Sequence, residues 1–465
     1  MRIWVGAYTL VGGLLVAGCK LPAQSAFDKA VADLPSIEAE AKSVGLALSG
    51  DELNPKSPIP ASENAGPTLA RVGKELSSLF DKNDDWDDVL ERAALQSGGG
   101  SSEASRRLLA QINPLLDDSV AASKKPHCDF GQDWGVPDPN DISFTEVANC
   151  RNIIRALTFR AQIFANRGNF SGALSDLRAA VRISEFLGRQ PNYLAGLSNA
   201  SSQRTITMAM QLMLTKHARN LGLRSQIDAL AKERLARPAS FLTAVRGEII
   251  FGLAVAKMPV RDAARYLAGD PSQDYEMANQ YNDKVYLLSP IGVKESKRQA
   301  GYRARIIQFG VELLKATGPN PTNAMVAEEI AKMRAQYDRE NDPARTLLLE
   351  LDTPSTSIAE NYVESEARWQ TLRGLVAVLN YQTRTGRFPS TMSETGFKGV
   401  DPFSGSTLRL ASSGHELRVY SIGQDRVDNG GQERVRTAGQ ARILDPGRKP
   451  PQRDIVSMYP RREYP

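Results

Sequence analysis

Along most of this chain apolar residues recur every three or four positions, the period of helices with one buried face, and only near the C-terminus do they alternate as in strands. Between Leu21 and Lys125 the helical pattern is broken. Apolar positions run from Phe27 to Leu48 and from Leu69 to Phe80 on either side of the Pro/Gly-rich stretch Asn54 to Pro67, and Gly98-Gly99-Gly100 marks a flexible loop. Residues 19–125 are therefore expected as a helical N-terminal region with loops, and the Pro-, Gly- and Asp-rich residues 126–142 as a linker. Ser143-Phe144-Thr145-Glu146 has the spacing of a capping box, so a helix should open there. It carries Val147, Ile154, Leu157, Ala161 and Phe164 and should end at Gly168, which is free to turn left-handed. Ser171 is expected to cap a second helix whose apolar side, Ala173, Leu174, Leu177, Ala180, Val181 and Ile183, folds back on the first. Further helices are predicted over 194–216, 226–235, 241–257, 302–314 and 323–339, which makes 143–350 an all-helical domain.

The pattern then changes. A long helix over 358–383 places Trp369, Leu372, Val376 and Leu379 on one face and stops at Gly386, just ahead of Phe388-Pro389. Thr407 to Leu410 and Glu416 to Ile422 read as strands about a Ser412-Ser413-Gly414 turn. The predicted fold class is thus mainly α: a helical repeat-like domain followed by a small α+β domain over 355–458, a long helix on an antiparallel sheet, with 459–465 as a basic Pro-rich tail.

The first nineteen residues stand apart. Arg2 precedes an apolar run from Ile3 to Val16 that closes in Val16-Ala17-Gly18-Cys19. This leader resembles that of bacterial lipoproteins, which implies removal of residues 1–18 and acylation of Cys19; a signal-anchor helix, or an ordinary signal with a chance cysteine, is the alternative. By the same resemblance, Lys20 in place of a retaining aspartate favours an outer-membrane anchor facing the periplasm. The next longest apolar run, Ile249 to Ala256, falls far short of the roughly 20 residues of a membrane span, so the lipid is the expected membrane link. A net charge of +5, with basic residues dispersed among acidic ones, points away from a nucleic-acid partner.

Two further resemblances are regional. Ala161, Phe164, Gly168, Ala173, Leu177 and Ala180 fall at the small and large positions of a tetratricopeptide repeat, although Arg160 stands where that family has leucine, Glu185 where it has proline, and no copy recurs 34 residues on. Tyr381 to Pro389, Asp401-Pro402-Phe403-Ser404-Gly405, Tyr420 to Asp425 and Asp454 to Met458 are similar, in order, to the C-terminal part of type II secretion major pseudopilins. That resemblance implies a long helix packed on a small sheet and an acidic calcium loop, for which Asp425, Asp428, Asn429 and Asp454 offer hard oxygen ligands. The chain departs from the family in lacking its N-terminal membrane helix and in an inserted segment with Arg434, Arg436, Arg442, Arg448 and Lys449; a solvated turn at Asp428-Asn429-Gly430-Gly431 is the other reading.

Candidate chemistry is sparse. In an exported chain Cys128 and Cys150 are expected either to form one disulfide, closing a loop of about 20 residues worth about 3 kcal/mol, or to be two buried thiols. Asp81 to Asp88 begins like an EF-hand loop but has Trp86 where the turn needs glycine and so reads as an acidic helix start. The three histidines, His127, His217 and His415, belong to no zinc-hydrolase or serine-esterase motif, and His127 beside Cys128 has no third group to orient a base. The expected function is that of a lipid-anchored envelope protein that binds or scaffolds a protein partner, with ties to a secretion or pilus-like system; the alternative is an envelope enzyme that acts on cell-wall material through scattered carboxylates.

Overall fold

The computed structural model describes residues 21–82, 85–95, 102–136, 141–268, 272, 275–340, 342–345, 348, 355–413, 416–432 and 454–459. Cys19 with its leader, the Gly98-Gly99-Gly100 loop, His415, the Arg434 to Lys449 segment and the tail from Pro460 lie outside these residues.

The helical period is realised as fourteen α-helices among the described residues. The first four are α1 (Pro22–Ser43), α2 (Gly66–Phe80), α3 (Trp86–Leu95) and α4 (Glu103–Ser123). The expected hairpin is α5 (Thr145–Asn166) and α6 (Phe170–Gly188), followed by α7 (Tyr193–Lys216) and α8 (Leu221–Ala236). Then come α9 (Phe241–Lys257), α10 (Val260–Ala268), α11 (Tyr275–Leu288), α12 (Glu295–Thr317), α13 (Asn323–Glu340) and α14 (Ser355–Thr385).

Asparagine, not serine, starts the middle helices. Gly168 turns the hairpin with φ +77°, and the Asn169 side chain accepts the Gly172 N–H, so Asn169 caps α6 in place of Ser171. Asn192 and Asn220 cap α7 and α8 in the same way. The expected capping box at Ser143 is not formed: α5 begins at Thr145 with no side-chain cap, and the Ser143 hydroxyl accepts the Thr145 amide instead.

Buried apolar residues gather into two large groups. One unites α2 to α8, with Leu69, Ile112, Leu157, Ile183, Phe186 and Met210 among its members. The other joins α1 to α9, α12 and α13 through Phe27, Phe241, Leu253, Tyr302, Ile306 and Ile330. Residues 22–48 and 65–122 thus serve different groups, and α1 lies along α12, which it meets through Phe27 edge-on to Tyr302 at 5.3 Å and Arg303 paired with Glu38 at 2.8 Å.

Helix α14 runs through all of this. Its 31 residues span about 46 Å. Ile358, Ala359 and Tyr362 belong to the second group, while Trp369, Leu372, Leu375, Val376 and Leu379 belong to the first. Val378 meets Leu408, Leu417 and Val419 in a third, smaller group under the sheet. Apolar side chains on several of its faces thus pack α14 against all three groups. Gly374 lets α14 lie close to the sheet, since a Cβ there would lie 2.7 Å from a Val419 methyl.

The sheet is antiparallel in the order β1 (Arg409–Ser413), β2 (Glu416–Ser421), β3 (Ile455–Tyr459). Pairing runs on through Ser413 opposite Glu416, so Ser412 and Ser413, expected in the turn, belong to β1. Ser457 Oγ donates to Thr371 Oγ1 at 3.0 Å and Gln211 donates to the Met458 carbonyl at 3.2 Å, which fastens β3 to α14 and α7. Among the described residues no single helix is long and apolar enough to cross a membrane; α8 and α9 together pass by length and composition, but they meet at 43° and bury Ile227, Phe241 and Val245 in the core.

Candidate functional site

Two buried carboxylates lock the loops around the sheet. Asp401 accepts the Phe403 amide and the Ser421 hydroxyl on one oxygen, and the Ser404 hydroxyl and Ile422 amide on the other, at 2.7–3.1 Å. The Asp401-Pro402-Phe403-Ser404-Gly405 motif therefore acts as a clasp on the end of β2. Asp454, at the entry to β3, accepts the Asn429 amide at 3.3 Å and the Gly431 amide at 2.7 Å, and so ties the acidic loop to the sheet.

The residues expected to hold calcium are gathered here, but their oxygens are engaged. Asp425 accepts the Val427 amide and the Asn429 side chain. Asp428 accepts the Gly430 amide and the Tyr420 hydroxyl on one oxygen, and its other oxygen lies 2.5 Å from the Arg409 guanidinium. The Gly430 amide, Tyr420 and Arg409 hold the Asp428 carboxyl below its ordinary value, while burial, with Asp428 and Asp425 adding to it, raises that of Asp454. Among the described residues no group of three or more His, Cys, Asp or Glu side chains is placed to hold a metal ion. Calcium at this loop would have to displace Arg409 from Asp428 and the loop amides from Asp454.

Cys128 and Cys150 stand as free thiols, without the bridge that was one of their two expected states. Both pack in the first apolar group, and burial favours the neutral thiol. It pushes Cys128 up to about 12, and raises Cys150 well above the ordinary value, with the nearby Cys128 adding to the effect. His127, next in sequence to Cys128, is exposed and faces Glu63 at 4.0 Å. His217 packs edge-on to Phe170, and burial lowers its pKa.

Two clefts were not legible in the sequence. The larger, about 440 Å³, lies between the 3-10 turn Gly50–Glu52, residues 134–136 with Ile142, and α9. Its walls are mainly Leu48, Trp134, Ile142, Ile250, Phe251 and Leu253, with Asp51 and Lys257 as its charged groups. The walls are pinned together. Asn54 bridges to Asp133 at 2.7 Å and to the Trp134 amide at 2.9 Å, and Gly50 lets the turn lie against the Trp134 carbonyl, where a Cβ would clash at 1.6 Å. Trp134, Phe144 and Phe251 form a triangle of rings 6.2–6.5 Å apart. This volume and lining suit an apolar side chain or small ligand held by shape. The second cleft, about 330 Å³, is cationic: Lys232, Arg373, Arg384 and Lys398 line it with Asp228, which pairs with Arg373 at 3.0 Å and Lys232 at 2.7 Å.

Two carboxylates with raised pKa lie elsewhere. Loss of water pushes Glu248 up to about 7, where it accepts the Tyr193 amide at 2.8 Å, and raises Glu366, which accepts from Asn323 at 2.6 Å. Neither lines a cleft described above. Comparison with protein-family models, curated proteins and solved structures finds no match.

Proposed function

We propose that this chain is a lipid-anchored cell-envelope protein that binds or scaffolds a protein partner of a secretion or pilus-like system.

 The observation that carries this reading is the larger cleft: it is apolar and ringed by aromatic side chains, its two charged groups stand exposed, and the carboxylates Glu248 and Glu366 lie outside it. The pseudopilin-like reading of the C-terminal unit is supported by a long helix seated on a three-stranded antiparallel sheet, and by the packing of its last three segments on one another: Asp401 clasps β2, and Asp454 closes the loop after Tyr420. The anchor rests on the leader and Cys19.

The test is a photo-crosslinker at Val136, on the cleft wall, in intact cells. Recovery of secretion or pilus components, lost when Phe251→Asp fills the cleft with charge, is the expected result. Recovery of abundant membrane proteins alone, from both forms, would count against it. Cys19→Ala, in parallel, should abolish incorporation of labelled palmitate.

A further inference from the structure

We infer that the tip formed by the end of α11 and the turn after it is a second membrane contact, which inserts into the lipid surface beside the N-terminal anchor; this rests on the reading of residues 1–19 as that anchor. Tyr286 is 78% exposed, Ile291 75% and Leu287 42%, three large apolar side chains within six positions, while Leu288 between them is fully buried and holds the tip to the second apolar group. Elsewhere the large exposed apolar residues stand singly, apart from the pair Leu194 and Leu197 on α7, so the tip is the one trio of them among the described residues.

The position of the tip names its occupant. Gln24, in the first turn of α1, donates to the Gly292 carbonyl at 2.7 Å, so the tip adjoins the start of the described chain. Leu21 is only two residues after Cys19, and two residues reach at most about 7 Å. By either form of the anchor reading, residues 3–16 removed and Cys19 acylated or the leader retained, the membrane-bound element would join the body on the side where Gln24 meets Gly292. Chemistry agrees with place. Tyrosine suits the boundary between headgroup and acyl chain, isoleucine and leucine the layer beneath, and the exposed Lys294 suits anionic headgroups. Two such contacts fix the orientation of the body over the membrane, which a single flexible tether does not.

The test uses the full chain bound to vesicles of phosphatidylethanolamine and phosphatidylglycerol. An environment-sensitive fluorophore is placed on Ile291→Cys and, as the control, on Leu221→Cys, a residue 57% exposed at the start of α8; unlabelled-site protein sets the background of Cys128 and Cys150. Flotation reports the anchor, and emission reports the tip. Emission at 291 that rises about twofold on vesicle binding, with none at 221, is the expected result. The rise should vanish in vesicles carrying a lipid-soluble quencher. A chain that floats while 291 and 221 behave alike overturns the tip and leaves the anchor standing. A chain that does not float overturns the anchor reading and the tip with it.

Discussion

Trp369 on α14 donates its indole N–H to the side-chain carbonyl of Gln203 on α7 at 2.7 Å, in the fully buried interior of the first apolar group. The amide of Gln203 passes the interaction on to Ser184 Oγ at 2.8 Å, and Ser184 donates to Asn199 at 2.8 Å, so one chain of hydrogen bonds joins α14, α7 and α6. Polar networks of this kind are favourable only when complete. Gln203→Met, which keeps the volume and leaves the indole N–H without an acceptor, should cost about 2 kcal/mol. Urea unfolding checks the value, and a double-mutant cycle with Trp369→Phe should show strong coupling; additive losses would mean that the bond contributes nothing.

Arg160 accounts for the main departure of the hairpin from the tetratricopeptide pattern. Its guanidinium grips Asp176 through two bonds of 2.8 and 2.7 Å, and reaches Asp117 at 2.8 Å on α4, so the hairpin binds a third helix by charge where the family packs a leucine. Arg160→Met leaves Asp176 buried without its partner and should destabilise by about 3–5 kcal/mol. Replacing both, Arg160→Met with Asp176→Leu, should recover most of that loss in the same melts.

Glu248 makes stability depend on pH. Its folded value of about 7 lies above the ordinary value of 4.5. The folded state therefore holds the proton more tightly, and stability falls as pH rises from about 4.5 to about 7, by at most about 3 kcal/mol, with no further loss above. Glu248→Gln, which can still accept the Tyr193 amide, should flatten this part of the curve and stabilise the chain at pH 8. A parent curve without that slope between pH 4.5 and 7 would refute the assignment.

The acidic loop is predicted to be held by Arg409 and by Asp454, not by a cation from solution. Millimolar calcium should leave the melting temperature unchanged, and Asp454→Ala, which frees two loop amides, should lower stability by about 1–3 kcal/mol. A melting temperature that rises with calcium would show that the ion displaces Arg409.

The thiols should be inert in the folded protein. With Cys128 pushed up to about 12 and Cys150 buried beside it, alkylation at pH 8 should be slow until denaturant opens the core, as intact-mass measurement would show. Rapid labelling of the folded chain would contradict this placement.

Much of the helical layout was legible because periodicity and punctuation are local. Gly168, the 3.6-residue repeat of Leu157, Ala161 and Phe164, and the Trp369 to Leu379 face each act within one or two turns of chain. What escaped was long-range. Nothing near Phe27 says that it meets Tyr302, and nothing near Trp134, in a stretch that reads as a linker, says that it walls a cleft with Phe251. Arg160 looked like a flaw in a repeat until Asp176 and Asp117 stood opposite it. Asp401 could be quoted as part of a motif, yet its role as a clasp needs Ser421 and Ile422 in space. The distinction between Ser171 and Asn169 as a cap is finer still, a matter of two residues at a tight turn.

The course of α14 bears on when this chain can fold. Both large apolar groups draw on residues beyond Ser355, and the second also joins α1, at the very start of the described chain, to α12. A chain emerging N-terminus first holds neither interior closed until its last quarter arrives. A product cut short before α14 should therefore be left with both interiors open and be digested by protease far faster than the full chain.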